Sequence, residues 1–151
     1  MKKIRLSSLL LIVASCVCYA QSRQNTLLAE ARKAIEASNA IYSDLVIKGD
    51  GSILSRYTED ACLLPPNSPL LCGRDAILKF FNDNPKLRAK FTLVNVYGDG
   101  VEYVTEETLF DLFDLNGKQV DSGKILVLWK KTKDGWKMYR DMFSSNRELV
   151  K

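Results

Sequence analysis

The stretch Lys124-Ile-Leu-Val-Leu-Trp-Lys-Lys-Thr-Lys-Asp-Gly-Trp-Lys-Met-Tyr-Arg-Asp-Met-Phe-Ser-Ser-Asn146 reads as two strands joined by a tight turn. Asp134-Gly135 marks that turn, because a short hairpin loop needs backbone angles that glycine adopts freely. Ile125 to Trp129 shows no polar alternation, so both faces of this strand should be covered, one by helices and the other by a second subunit. Arg140 and Asp141 then stand side by side in a strand that is otherwise suited to a dry core.

Upstream, residues 91–97 and 101–112 are also rich in β-branched and aromatic side chains, and Gly98-Asp99-Gly100 and Asn116-Gly117 separate the runs. With 119–131 and 136–145 they form a four-stranded antiparallel meander. Before it the period is helical. From about 25 to 48, Leu28, Ala31, Ala34, Ile35, Ile41, Tyr42 and Leu45 follow the three-and-four spacing of one amphipathic helix, with Asn25 or Thr26 at its start and Gly49 at its end. Asp50 caps a short second helix that places Ile53, Leu54 and Tyr57 on one face. A third helix spans 73–81, with Ile77, Phe80 and Phe81 inward and Pro85 as its stop. Helices first and a meander after define an α+β fold.

The chain has 151 residues, 46% of them hydrophobic, which suits one domain with a sizeable core. Its first twenty residues read as an export signal: Lys2, Lys3 and Arg5 precede an apolar core at 9–17, and Cys18-Tyr19-Ala20 offers a cleavage site before Gln21. That core is shorter than the roughly 20 residues a membrane span needs. Val13-Ala14-Ser15-Cys16 supports a second reading, a lipoprotein anchored through Cys16. The domain is thus expected at 21–151, in the periplasm or outside the cell. Lys and Arg number 22 against 18 Asp and Glu, and three of the positive charges fall within the first twenty residues. The remainder is nearly neutral, which argues against a nucleic-acid partner.

After cleavage Cys62 and Cys72 remain in an oxidising compartment. They are symmetric about Asn67, and the segment between them reads as two short strands about a proline-rich turn, which sets the sulfurs opposite one another for a disulfide. The chain has no histidine and no third nearby thiol, so no metal site is expected. The lack of histidine also removes Ser-His-Asp and Cys-His chemistry. No Gly-rich phosphate loop is present, and no cofactor is expected.

The motifs Tyr57-Thr-Glu-Asp-Ala61, Leu64-Pro-Pro-Asn67, Gly73-Arg-Asp-Ala-Ile77, Ser122-Gly-Lys124 and Trp136-Lys-Met-Tyr-Arg-Asp-Met-Phe-Ser-Ser-Asn146 run in order over nearly the whole expected domain. Together they resemble the nuclear-transport-factor-like superfamily, in the branch of SnoaL-like polyketide cyclases and ketosteroid isomerases, nearest a domain family of unassigned function. The resemblance implies a cone-shaped α+β barrel, in which a long N-terminal helix packs in a strongly curved antiparallel sheet. It also implies a homodimer and a funnel-shaped apolar pocket for an unknown small molecule.

Tyr42, on the inward stripe of the first helix, is the candidate to orient a ligand carbonyl. Adjacent strand residues point to opposite faces, so strict alternation leaves two arrangements open. If Tyr139, Asp141 and Phe143 face the pocket, desolvation readies Asp141 as a base. If Met138, Arg140 and Met142 do, Arg140 offers a cation to an anionic ligand. A third reading pairs Arg140 with Glu106, Glu107 or Asp60 to tie the sheet. The resemblance places Lys124 near the cavity or its rim. The candidate set is therefore Asp141 and Tyr42 for catalysis, and Tyr42, Lys124, Tyr139, Arg140 and Phe143 for binding. Three functions fit: a ligand-binding domain, a cofactor-independent isomerase, cyclase or dehydratase with a carboxylate base, or a structural module without ligand.

Overall fold

The computed structural model describes residues 6–148, with side chains from 21 to 148. The basic start at Lys2, Lys3 and Arg5 lies outside the described residues, and of the segment around Cys16 only the helical backbone is described. Helix α1 spans Leu6–Ala40 and helix α2 Tyr42–Lys48. A 3-10 turn at Ser52–Arg56 leads into strand β1, Tyr57–Leu64. Strand β2 (Leu71–Cys72) and helix α3 (Arg74–Asp83) follow. The meander is β3 (Arg88–Gly98), β4 (Tyr103–Phe113), β5 (Gln119–Thr132) and β6 (Gly135–Ser145). Among the described residues no helix is long and apolar enough to cross a membrane.

All six strands form one curved sheet in the order β2-β1-β6-β5-β4-β3. The meander is antiparallel as expected, but β1 adds to it in parallel beside β6, which makes the sheet mixed and leaves it open. The helices pack on its concave side, α1 and α2 against β3 and α3 against β1. Ala31 and Ile35 of α1 are fully buried there with Trp129, Ile77 and Leu63. At the far end of α1 the chain of β3–β4 passes so close that a Cβ on Gly100 would lie 2.7 Å from Leu27 Cβ.

Three helical expectations are corrected. The first helix does not start at Asn25 or Thr26, because α1 already runs through them from Leu6. The single helix over 25–48 is two helices, because the chain turns at Ile41, whose side chain is exposed instead of continuing the apolar stripe. After the turn Val46 of α2 is buried in the core and Tyr42 packs against it. Gly49 then ends α2 in the left-handed conformation (φ 65°), which costs glycine little. Tyr57 is not on a helical face. It opens β1, and its side chain is buried beneath the sheet.

The two cysteines pair as expected. Cys62 and Cys72 are direct antiparallel partners on β1 and β2, with Cα atoms 4.1 Å apart and a disulfide between them. The bridge fixes the edge of the sheet immediately before α3, whose aromatic residues face the cavity.

Candidate functional site

Between the concave face of the sheet and helices α2 and α3 lies a cavity of about 210 Å³. Its wall is mainly apolar and rich in aromatic rings: Phe80 and Phe81 from α3, Phe91, Phe110 and Phe143 from the strands, and the rings of Tyr42 and Tyr57. These rings meet edge to face, Tyr42 against Phe91 at 5.2 Å and Phe80 against Phe81 at 5.6 Å between centroids, the geometry that aromatic quadrupoles favour. Asn84 and Pro85, both exposed, stand at the mouth where α3 gives way to β3.

The choice between Arg140 and Asp141 is made by the backbone. Trp129 of β5 pairs with Met138 of β6, but Leu128 pairs with Arg140, so Tyr139 is one extra residue in the ladder. Such a bulge resets the alternation of side chains. Met138 faces in before it, and Asp141 and Phe143 face in after it. Neither arrangement expected from strict alternation is the observed one. Asp141 lines the cavity, but Tyr139 does not.

Tyr139 lies on the outer side, beneath the Arg140 guanidinium at 3.7 Å from its ring centre, with Lys130 5.3 Å away. Arg140 donates to the main-chain oxygens of Asp60 (3.2 Å) and Tyr139 (2.7 Å) rather than to the pocket or to a carboxylate. Lys124 is exposed, donating from Nζ to Asn146 Oδ1 at 2.7 Å, and does not line the cavity, because it alternates with Ile125 and points outward. Of the expected site, the cavity wall thus unites Tyr42, Asp141 and Phe143 and leaves out Lys124, Tyr139 and Arg140.

Asp141 is buried, and Tyr57 Oη donates to its Oδ2 at 2.7 Å. Its Oδ1 takes no hydrogen bond from the described residues. Desolvation raises the carboxyl above the usual carboxylate range, Tyr57 and Arg56 oppose that rise, and Glu106 adds to it. Burial also pushes the Tyr42 hydroxyl up to about 12, against the pull of Arg56, so Tyr42 is a hydrogen-bond donor throughout the physiological range.

Besides Asn84 at the mouth, four polar residues of the wall were not expected there: Asn39, Arg56, Tyr57 and Glu106. Arg56 is buried at the end of the 3-10 turn, donating from Nε to Ser38 Oγ (2.9 Å) and from Nη2 to Asn39 Oδ1 (2.7 Å), with its guanidinium 5.1 Å from the Tyr42 ring centre. Asn39 passes the link on, donating from Nδ2 to Glu106 Oε1 at 2.7 Å. Glu106 also accepts from Thr108 Oγ1 at 2.6 Å and, at Oε2, from Trp129 Nε1 at 2.8 Å. The signal for Glu106 was present in β4. Val104 and Phe110 set the parity of the inward face, and Glu106 and Thr108 share it. Arg56 has no comparable signal, since it follows a polar serine in a short turn.

No protein-family model matches the chain, and no curated protein matches it. Among solved structures, an NTF2-like protein with a cystatin-like fold from Novosphingobium aromaticivorans superposes with a TM-score of 0.69, at 16% identity over 99% of this chain and 95% of that one. A ketosteroid isomerase-like protein from Erwinia carotovora atroseptica gives a TM-score of 0.61 at 18% identity, over 76% of this chain and 95% of its own. An NTF-2 like protein of unknown function from Shewanella oneidensis gives 0.62 at 20% identity, over 75% and 98%. The fold is that of NTF2-like and ketosteroid isomerase-like proteins, the α+β cone that the sequence motifs imply. At these identities the likeness carries the fold and leaves ligand and reaction to the site itself.

Proposed function

We propose that this chain is an exported domain that binds a small, mostly apolar molecule in the cavity beneath its sheet. The observation that carries the reading is an apolar chamber onto which two polar groups, the Asp141 carboxyl through Oδ1 and the Tyr42 hydroxyl, open without a hydrogen-bond partner among the described residues. Polar groups that face an apolar chamber without a protein partner are the ones a ligand meets. The volume is below the roughly 300–1,000 Å³ of drug-sized sites, so it suits one ring and a short chain rather than a four-ring steroid. The Cys62–Cys72 bridge supports export, since disulfides persist in oxidising compartments. Cleavage after Ala20 and anchoring at Cys16 both accord with that location. The exposed Leu109, Leu126 and Met142 on the convex face support a homodimer.

A second reading is favoured by the raised pKa of Asp141. In a cofactor-independent isomerase, cyclase or dehydratase, Asp141 Oδ1 would take a proton from the carbon beside a substrate carbonyl. Tyr42 would donate a hydrogen bond to the enolate oxygen, and Asp141 would return the proton to carbon or to a leaving group. Tyr57 would hold the carboxylate in place from the far side.

Native mass spectrometry of the protein purified from the periplasm of an expression host tests binding directly. A retained adduct of small-molecule mass is the expected result. A clean mass, together with no change in thermal midpoint across a panel of one-ring compounds, would overturn the reading in favour of a structural module.

A further inference from the structure

Three ionisable groups of opposite sign line the cavity: Arg56, Glu106 and Asp141. Arg56 and Glu106 answer one another through Asn39, whose amide accepts from the guanidinium and donates to the carboxylate, both at 2.7 Å. Glu106 is further satisfied by Thr108 and Trp129. Asp141 takes one hydrogen bond, from the Tyr57 hydroxyl, and feels the Arg56 charge only at a distance. With all three ionised the wall therefore carries one excess negative charge, on the buried group that still has an open oxygen. A buried carboxylate with so little compensation is costly, and it either takes a proton or takes a cation.

The rest of the chamber suits a cation. Five phenylalanine and two tyrosine rings line it, and aromatic faces attract ammonium groups. The wall already holds one cation in this way, the Arg56 guanidinium over the Tyr42 ring. An anionic ligand, by contrast, would meet two carboxylates and a guanidinium whose charge Glu106 already balances.

We infer that the ligand is a small hydrophobic amine, bound as its ammonium ion against Asp141 Oδ1 with its apolar body among the phenylalanines. The inference rests on the small-molecule reading above and names the chemical class that reading leaves open. In the empty chamber the proton is the competing cation. Tyr57 on β1, Arg56 on the 3-10 turn, Glu106 on β4 and Tyr42 on α2 are the charged or titratable groups that bear on Asp141. Both tyrosines stay neutral at physiological pH, because burial raises them. Amine affinity therefore rises with pH as Asp141 gives up its proton, and falls again only when the amine itself loses its charge.

Calorimetric titration with 2-phenylethylamine, 2-phenylethanol and phenylacetate, near pH 8 and again near pH 5, separates the possibilities. The wild-type protein should bind the amine roughly tenfold more tightly than the alcohol at the higher pH and the acid least, with the amine's advantage shrinking at the lower pH. Asp141→Asn should remove that advantage. The wild-type series alone decides the matter if that variant does not fold. Equal affinity for amine and alcohol, or a preference for phenylacetate, would overturn the inference while leaving the binding site standing. No binding of any of the three would overturn the inference and the small-molecule reading together.

Discussion

Tyr57 and Asp141, 84 residues apart, meet through a hydrogen bond of 2.7 Å that joins the first strand of the sheet to the last. The bond lies where β1 and β6 run parallel, with Leu63 of β1 directly opposite Asp141. It couples the one buried carboxylate that still has an open oxygen to the strand that carries the disulfide.

That coupling makes Asp141 a stability group. Its folded pKa is raised above the ordinary value of 3.8, so between the two values the native state holds the proton more tightly than the unfolded chain does. Stability is then fully present below about pH 3.8 and is lost as pH rises through the folded pKa. Asp141→Asn removes the charge and keeps an acceptor for Tyr57. The variant should melt at a higher temperature than wild type at neutral pH, with the difference vanishing toward pH 4, by differential scanning calorimetry across a pH series.

Glu106 is held by a fuller set of partners. It accepts from Asn39, Thr108 and Trp129 and is 1% exposed. Glu106→Ala strips three donors of their acceptor and leaves Arg56 buried without its balancing charge. Loss of one member of such a buried network costs about 3–5 kcal/mol. Urea unfolding should show a midpoint shift of that size. A loss below about 1 kcal/mol would mean that the relay contributes little.

Reducing the Cys62–Cys72 bridge, or replacing both cysteines by serine, should cost about 2–3 kcal/mol on the chain-entropy account of a short closed loop. Because the bridge immediately precedes α3, the same change should weaken ligand binding more than a destabilising change at the distant Gly100–Leu27 contact of equal thermodynamic size. Paired unfolding and binding measurements on the two variants make the comparison.

Leu126 and Met142 are direct partners on neighbouring strands, each 47% exposed on the convex face. If a second copy covers that face, Leu126→Lys should convert a dimer to a monomer at micromolar concentration, read by light scattering, with the fold intact by circular dichroism. A monomeric wild-type mass would dispose of the dimer.

The strands were legible because turn chemistry brackets them. Asn116-Gly117 sits in a loop where Asp114 Oδ1 accepts from the Asn116 and Lys118 amides, and Gly117 takes φ 86°. The helix break was not legible, because Ile41 is as apolar as the stripe it abandons. Nor was the parallel pairing of β1, since nothing local in Tyr57–Leu64 announces a partner 80 residues away. The site was half legible for the same reason. Tyr42, Asp141 and Phe143 follow from periodicity once the right face is known, whereas Arg56 and Tyr57 depend on tertiary placement of a turn and an added strand. Glu106 is readable from the parity of β4, and Arg140 pairs with none of Glu106, Glu107 and the Asp60 carboxylate, donating to main-chain oxygens instead.

The extra residue at Tyr139 sets the sign of the chamber. Were β6 pleated regularly from Met138 onward, the same letters in the same order would turn Arg140 and Met142 inward and send Asp141 to the solvent side. The charge offered to a guest would be reversed with no side chain replaced. What the cavity selects is thus encoded in the spacing of the main chain as much as in the residues it displays, and a single-residue shift of register is enough to change an attractor of cations into an attractor of anions.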